Sequence, residues 1–158
     1  MTRWAIPRTG EVEAVVPAPP EEVYAVVADV TRIAEWSHEC HGAEWLDGAT
    51  GPAVGATFRG TNKVNRFGWS RTCTITALEP GRRFCYRTSG GTPPDSTAWT
   101  FEFHPHPAGT RVVQRYEVLK LTRVVELATY AFVPAHRDRR PALLADLERL
   151  GEVSRASR

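Results

Sequence analysis

The 158-residue sequence lacks the features that mark secreted and membrane proteins. Its three cysteines cannot all pair within one chain, which argues against a disulfide framework. The first residues, MTRWAIPRTGE, contain no apolar run of the kind found in signal peptides. The longest apolar stretch, 124–133, includes Glu126 and covers about half of a membrane span. These absences predict a cytoplasmic protein with reduced thiols and no stable membrane insertion.

The sequence also has no excess of charge of one sign, since 20 basic and 18 acidic residues leave a net charge of +2. A balance so close to neutrality argues against nucleic acid as a partner. The glycine-rich segment GATGPAVG, at 48–55, matches neither the phosphate-binding loop nor the dinucleotide-binding fingerprint. Repeats, heptads and low-complexity tracts are absent as well. We therefore expect a single domain with no nucleic-acid partner.

Three potential metal ligands, His38, Cys40 and His41, stand close together in the sequence. A structural zinc site needs four ligands, usually from two separated motifs, and no second motif is positioned to complete one. Adjacent residues of a strand point to opposite faces, so Cys40 and His41 are poorly placed to share an ion. We therefore expect neither a metal nor a cofactor.

Between residues 53 and 118, apolar and polar residues alternate with the period of two that indicates β-strands. One register of this alternation carries the large apolar side chains Phe58, Val64, Trp69, Cys73, Ile75, Phe84, Tyr86, Trp99, Phe101, Phe103, Val112, Tyr116 and Val118. Asn62, Arg71 and Gln114 fall in the same register, so strand geometry directs them to the same face. A sheet that sends amide and guanidinium groups to its apolar face is predicted to line a cavity.

The predicted elements are one strand, two short helices, six further strands and a helical tail. Segments rich in Gly, Pro, Asn and Asp separate the strands, as antiparallel hairpins require. Thr31 is the predicted N-cap of the second helix. The predicted helices are 21–29 and 31–36, and the predicted strands are 10–16, 40–46, 57–64, 69–78, 83–88, 97–104 and 110–120.

The tail changes to helical spacing, with apolar residues recurring every three or four positions from 121 to 132 and from 143 to 150. Gly151 is the predicted end of the last helix. Pro141 either opens that helix or kinks a longer one that begins near Pro134. The expected boundaries are an N-terminal extension at 1–9, a single domain at 10–153 and a frayed tail at 154–158.

Three stretches resemble the START-like superfamily, also called SRPBCC: VEAVVPAPPEEVYAVVADVTRIAEWSHECHGAEWLDGATGPAVGATFRG, WSRTCTITALEPGRRF and WTFEFHPHPAGTRV. They look like its bacterial polyketide cyclase/dehydrase-like and lipid-transfer branch. The resemblance covers about residues 10–120 well and the tail loosely. It implies an α+β helix-grip fold, in which a curved seven-stranded antiparallel sheet wraps around a long C-terminal helix, with two short helices between strands 1 and 2. In such proteins a cavity between sheet and helix holds an apolar or amphipathic small molecule, and in some members it hosts cyclisation or dehydration.

The expected ligand cavity is lined by inward-facing strand residues and one tryptophan at a helix end. Its expected members are Trp36, Phe58, Asn62, Trp69, Arg71, Cys73, Phe84, Tyr86, Trp99, Phe101, Gln114 and Tyr116. Burial of an unpartnered guanidinium is very costly, so Arg71 must meet an acid, a carbonyl, water or a ligand. In one interpretation it grasps an anionic or carbonyl group of the ligand. In the other it reaches solvent at the sheet edge, or pairs with Glu102 or Glu117.

No catalytic motif is present, and the two candidates for acid–base work are His38 and Tyr116. His38 lies near the expected cavity mouth, and the reference pKa of histidine is close to neutral, as a general base requires. The alternative for His38 is a solvated loop residue. Tyr116, with Tyr86, offers hydroxyl donors to a ligand carbonyl on an otherwise apolar wall.

The leading hypothesis is a carrier or sensor that binds a hydrophobic or aromatic molecule, lipid- or polyketide-like, in a cavity of roughly 300–1,000 Å³. The first alternative is a polyketide aromatase/cyclase or dehydratase that uses acid–base residues of the cavity. The second is a module that forms homodimers through the segment 121–132, which is more apolar than a loop leading to the last helix needs to be.

Overall fold

A seven-stranded antiparallel sheet accounts for most of the computed structural model, which describes residues 4–157. The strand order is β1-β7-β6-β5-β4-β3-β2. Strands β2 to β7 therefore lie side by side in chain order, and β1 is the edge strand next to β7. The strands are β1 (Thr9–Val16), β2 (Cys40–Trp45), β3 (Thr57–Val64), β4 (Phe67–Glu79), β5 (Arg83–Gly90), β6 (Asp95–His106) and β7 (Gly109–Lys120).

Two strands begin earlier than the turn-forming residues predicted, because β4 starts at Phe67 and β6 at Asp95. β3 and β4 pair as far as Val64 and Phe67, and only two residues connect them. Asn65 adopts a positive φ of 54°, the left-handed conformation that a two-residue hairpin turn requires. Likewise, β6 begins at Asp95, inside the segment predicted as a loop. The loops were predicted too long because a tight turn uses as few as two residues, and the other turn-forming residues of these segments lie in the strands.

Two short helices follow β1, as expected. Helix α1 (Pro20–Ala28) buries Val23, Val26 and Val27 on one face. A 3₁₀ helix, Val30–Glu35, comes next. The prediction that Thr31 caps it is wrong, because the Asp29 side chain accepts the hydrogen bond from the Thr31 backbone N–H, at 3.2 Å.

The tail contains two separate α-helices rather than one kinked helix. Helix α2 (Arg123–Phe132) and helix α3 (Arg140–Ala156) are joined by a single 3₁₀ turn, Pro134–Arg137. Pro141 lies in the first turn of α3, where its missing N–H costs no hydrogen bond. None of the helices between residues 4 and 157 is long and apolar enough to span a bilayer.

The end predicted for the last helix at Gly151 is wrong. Gly151 lies inside α3 and allows close approach to β1, since a Cβ there would lie 3.3 Å from Pro17 Cδ and 3.8 Å from Val16 Cγ1. Ser154, three residues on, is 1% exposed, so the tail does not fray from that point. The last residue, Arg158, lies outside the described residues.

Residues 4–8, part of the expected extension, are joined to the rest of the chain. The Arg8 carbonyl accepts a hydrogen bond from the Val118 N–H at 2.7 Å, which prolongs the pairing of β1 with β7. Ile6 is buried and its N–H donates to Glu126 of α2 at 3.2 Å. The N-terminal segment therefore connects the sheet edge to α2.

The main core lies where the sheet meets α1 and α3. Leu143, Leu147 and Leu150 of α3 are buried, at the helical spacing predicted from the sequence. On the sheet side, Val16 and Val112 are almost completely inaccessible. This end of the molecule is packed solid, and the space between sheet and helices opens toward α2. The architecture is the helix-grip fold that the resemblance implied.

Candidate functional site

A cavity of about 230 Å³ lies between the sheet and the helices, with room for about eight water molecules at roughly 30 Å³ each. Strands β2 to β7 supply one wall, and the 3₁₀ helices, α2 and the start of α3 supply the other. The cavity is smaller than the predicted range of roughly 300–1,000 Å³.

Nine of the twelve residues expected in the cavity wall line it: Trp36, Phe58, Asn62, Trp69, Arg71, Cys73, Tyr86, Trp99 and Gln114. The three polar residues of the inward register are among them, as strand geometry predicted. Burial raises the pKa of Cys73 to about 12, so this thiol is protonated and serves as a small apolar group of the wall.

Phe84, Phe101 and Tyr116 do not line the cavity. Phe84 and Phe101 are each 1% exposed and belong to the solid core. The Tyr116 ring covers Gly10 of the neighbouring strand and packs against Trp99, with ring centroids 5.4 Å apart. Alternation assigned these side chains to the correct face, but it does not show where along a strand the core ends and the cavity begins.

Arg71 is paired within the protein, and its partner is neither Glu102 nor Glu117. Its Nε and Nη2 donate to the two carboxylate oxygens of Asp95 at 2.8 and 2.6 Å, and its Nη1 donates to the Ser70 carbonyl at 2.8 Å. The two ionic side chains are 18% and 19% exposed. Three of the five guanidinium N–H groups are thus engaged, and the Asp95 carboxylate neutralises the charge that was predicted to meet an anionic ligand group.

His38 has a buried partner that sequence reasoning missed. Its Nδ1 lies 2.7 Å from one carboxylate oxygen of Asp146, and its backbone N–H donates to the other oxygen at 2.9 Å. Arg149 donates to that second oxygen at 2.5 Å. Asp146 is 2% exposed and held from three directions, so it orients the imidazole. Both His38 and Asp146 line the cavity.

The hydrogen bond to Asp146 raises the pKa of His38 above its usual value, although burial of the ring acts in the opposite direction. Because Nδ1 is committed to Asp146, Nε2 is the nitrogen left to meet the contents of the cavity. Among the described residues it has no hydrogen-bond partner. The imidazole is thus held in place by Asp146 and is not a freely solvated loop side chain.

A second cluster of charges was also missed by sequence reasoning. His136 donates from Nε2 to Glu39, and its Nδ1 accepts a hydrogen bond from Arg139 at 3.2 Å. Burial alone raises the pKa of Glu39, but the hydrogen bond from His136 and the nearby Arg139 charge outweigh it, so the pKa is lowered overall. Both nitrogens of His136 are occupied. The cluster is therefore part of the cavity wall, but His136 has no nitrogen left to bond to a ligand, in contrast to His38.

Helix α2 covers the cavity with one face and exposes the other. Val125 and Thr129 line the cavity, while Val124 and Phe132 on the outer face are 71% and 59% exposed. Glu126 is the buried residue of α2, and it accepts hydrogen bonds from the Ile6 N–H and from Arg123. The segment 121–132 thus forms a cover, and its use as a dimer surface stays a prediction.

Within residues 4–157, no group of three or more His, Cys, Asp or Glu side chains is arranged to hold a metal ion. His41 is exposed, and His104 lies 3.3 Å from Glu102, away from the cavity.

Comparisons with known proteins agree with this architecture. Three of the solved structures that resemble the chain each share less than 20% sequence identity with it, a level at which the likeness concerns the fold. The Zhui aromatase/cyclase from a Streptomyces species is 19% identical, with a TM-score of 0.71, and the match covers 94% of this chain and 93% of that one. Protein TTHA0849 from Thermus thermophilus is 18% identical, with a TM-score of 0.70 and coverage of 94% and 98%.

The third structure is the di-domain ARO/CYC protein BexL, which is 19% identical with a TM-score of 0.66. The match covers 92% of this chain and 46% of BexL, so this chain corresponds to about one domain of it. No curated protein matches the sequence. A family model described as polyketide cyclase / dehydrase and lipid transport matches residues 8–151. The chain therefore belongs to the polyketide cyclase/dehydrase and lipid transport family.

Proposed function

We propose that this chain binds a hydrophobic or aromatic small molecule in the cavity, as a carrier or sensor. The observation that supports this is the composition of the wall, in which aromatic rings surround a space that the protein's own side chains leave unfilled. Trp99 and Tyr86 are stacked, with ring centroids 6.4 Å apart and planes 17° from parallel. Transfer of apolar ligand surface from water to such a wall contributes about 25 cal/mol per Å², before the cost of association.

Binding is tested with N-phenyl-1-naphthylamine, an uncharged dye that fluoresces in apolar surroundings. Thr129→Trp places an indole from α2 into the cavity and is expected to weaken dye binding about tenfold or more, since overfilling a site costs more than 1 kcal/mol. The matched control is Ala128→Trp, because Ala128 precedes Thr129 on α2 and is exposed outside the cavity. The measurement is a fluorescence titration of the wild type and both variants.

The wild type and Ala128→Trp are expected to bind the dye alike. If the wild type does not bind the dye, or if Thr129→Trp binds it as tightly as the control does, the cavity is not the binding site. Circular dichroism checks that both variants are folded.

A second function is favoured by one observation, the His38–Asp146 pair in the cavity wall. A histidine that is oriented by a buried carboxylate and has a free Nε2 is equipped to abstract a proton next to a ketone, as a cyclase or dehydratase requires. The structurally similar Zhui protein is described as an aromatase/cyclase. We propose this activity as the alternative to simple carriage.

The alternative is tested with 2-tetralone in D₂O. His38 Nε2 takes a proton from the carbon beside the carbonyl, and the resulting enolate takes up a deuteron from solvent. The exchange rate is followed by NMR. It is expected to decrease as the pH is lowered below the raised pKa of His38, because only the neutral imidazole acts as a base. Asp146→Asn removes the interaction that raises this pKa, so it is expected to move the inflection to lower pH.

His38→Gln is expected to reduce the exchange rate to that of the buffer while dye binding persists. Exchange that does not exceed the buffer rate in the wild type, or that is the same in His38→Gln, would exclude the acid–base role and leave the carrier function in place.

A further inference from the structure

Gln114 of β7 is a buried amide without a partner. It is 3% exposed and lines the cavity. Its Oε1 accepts no hydrogen bond, and no other described residue bonds to its amide group. Leaving a buried amide unpaired costs about as much as one lost hydrogen bond or more. The Oε1 atom has no accessible surface, whereas Nε2 is not among the fully buried unsatisfied atoms, so the amide N–H group is the part of Gln114 that the cavity contents can meet.

A second unpartnered group lies close to the same place. Trp36 is 4% exposed, lines the cavity, and its Nε1–H has no acceptor. Trp36 packs edge-to-face against Phe101, with ring centroids 5.8 Å apart. Phe101 is the cross-strand partner of Gln114 in the β6–β7 pairing. Trp36 and Gln114 therefore both lie next to Phe101, where the cavity borders the solid core.

The charged groups of the wall, by contrast, are satisfied by one another. Arg71 is paired with Asp95, and Asp146 is held by His38 and Arg149. Glu39, His136 and Arg139 form the third group, described above. Lys120 also lines the cavity but is exposed at the end of β7, where water solvates its charge. At a pH above the raised pKa of His38, where its imidazole is neutral, no described cation inside the cavity is left to neutralise a buried anionic ligand.

We infer that the ligand is uncharged, and that the amide of Gln114 forms a hydrogen bond with its hydroxyl or carbonyl group. This inference rests on the proposed binding function and specifies its ligand class. A charged ligand would have to be desolvated without a counter-ion, which is far more costly than desolvation of an alcohol or a ketone. An entirely apolar ligand would leave the amide unpaired or displace a water bound to it.

The test compares 2-naphthalenemethanol with 2-ethylnaphthalene, which has nearly the same shape but a methyl group in place of the hydroxyl. The wild type is expected to bind the alcohol about tenfold more tightly, the difference that one satisfied buried hydrogen bond makes. Binding of 2-naphthoate is expected to be at least about tenfold weaker than binding of the alcohol. Dissociation constants are obtained by displacement of N-phenyl-1-naphthylamine.

Gln114→Leu is expected to abolish the preference for the alcohol, because it removes the amide at nearly constant volume. It is also expected to fold, since it removes an unpaired buried group. The matched control is Glu117→Leu, on the same strand but exposed and outside the cavity, which is expected to keep the preference.

Equal affinity of the wild type for the alcohol and the ethyl compound would overturn the inference, and so would a preference that survives in Gln114→Leu. Binding of 2-naphthoate as tight as that of the alcohol would overturn the claim that the ligand is uncharged. These results leave the proposed binding function intact, because all of them involve bound probes. If neither the dye nor any naphthalene compound binds, the proposed function fails and the inference fails with it.

Discussion

Leu147→Ala is expected to lower the free energy of unfolding by about 2–5 kcal/mol, the usual cost of a cavity left by a buried leucine. Leu147 is completely inaccessible to solvent and lies on the face of α3 that packs in the core with Leu150. The site cannot refill easily, because the sheet residues around it are themselves buried. The change is measured by urea unfolding, with the dependence of the unfolding free energy on urea concentration (the m-value) expected to stay the same.

The control for this prediction is Leu144→Ala on the same helix. Leu144 is 40% exposed, so its truncation is expected to change the free energy of unfolding by less than about 0.5 kcal/mol. Equal losses in the two variants would mean that α3 does not present the face described here to the sheet.

Gly10→Ala is expected to cost about 1–3 kcal/mol of stability, an overpacking penalty at a single methyl group. A Cβ at position 10 would lie 2.8 Å from Cζ and 2.9 Å from the hydroxyl oxygen of Tyr116, the residue opposite it on β7. The Tyr116 ring is 4% exposed, packs on Trp99, and lies 5.3 Å beneath the Arg139 guanidinium carbon. It therefore has little freedom to move away.

The cause is tested by a double-mutant cycle. In a Tyr116→Ala background, Gly10→Ala is expected to cost almost nothing, because the atoms it would meet are gone. Gly42→Ala serves as the control, since nothing lies within 4 Å of a Cβ at Gly42. A penalty for Gly10→Ala of the same size in both backgrounds would show that the cost comes from the backbone and not from Tyr116.

The sheet and its inner face were predictable because strand alternation depends on local geometry alone. Asn62, Arg71 and Gln114 were assigned to the cavity wall on register only, and the structure places them there. Register does not encode partners. Arg71 meets Asp95 because β4, β5 and β6 lie side by side, which brings together residues 24 positions apart in the chain.

The His38–Asp146 pair spans 108 residues and depends on how α3 is laid against the sheet. One signal for it was present in the sequence. Asp146 shares the helical stripe of Leu143, Leu147 and Leu150, so its carboxylate had to be buried and in need of donors. No comparable signal marks Glu39 and His136, which are 97 positions apart, one in the loop before β2 and the other in the 3₁₀ turn between α2 and α3.

The link between Glu126 and Ile6 has a practical consequence for experiments on this protein. The hydrogen bond joins positions 120 apart in the chain and connects the roof of the cavity to the segment that precedes β1. A deletion that removes residues 4–8 would therefore loosen α2 above the cavity as well as the edge of the sheet.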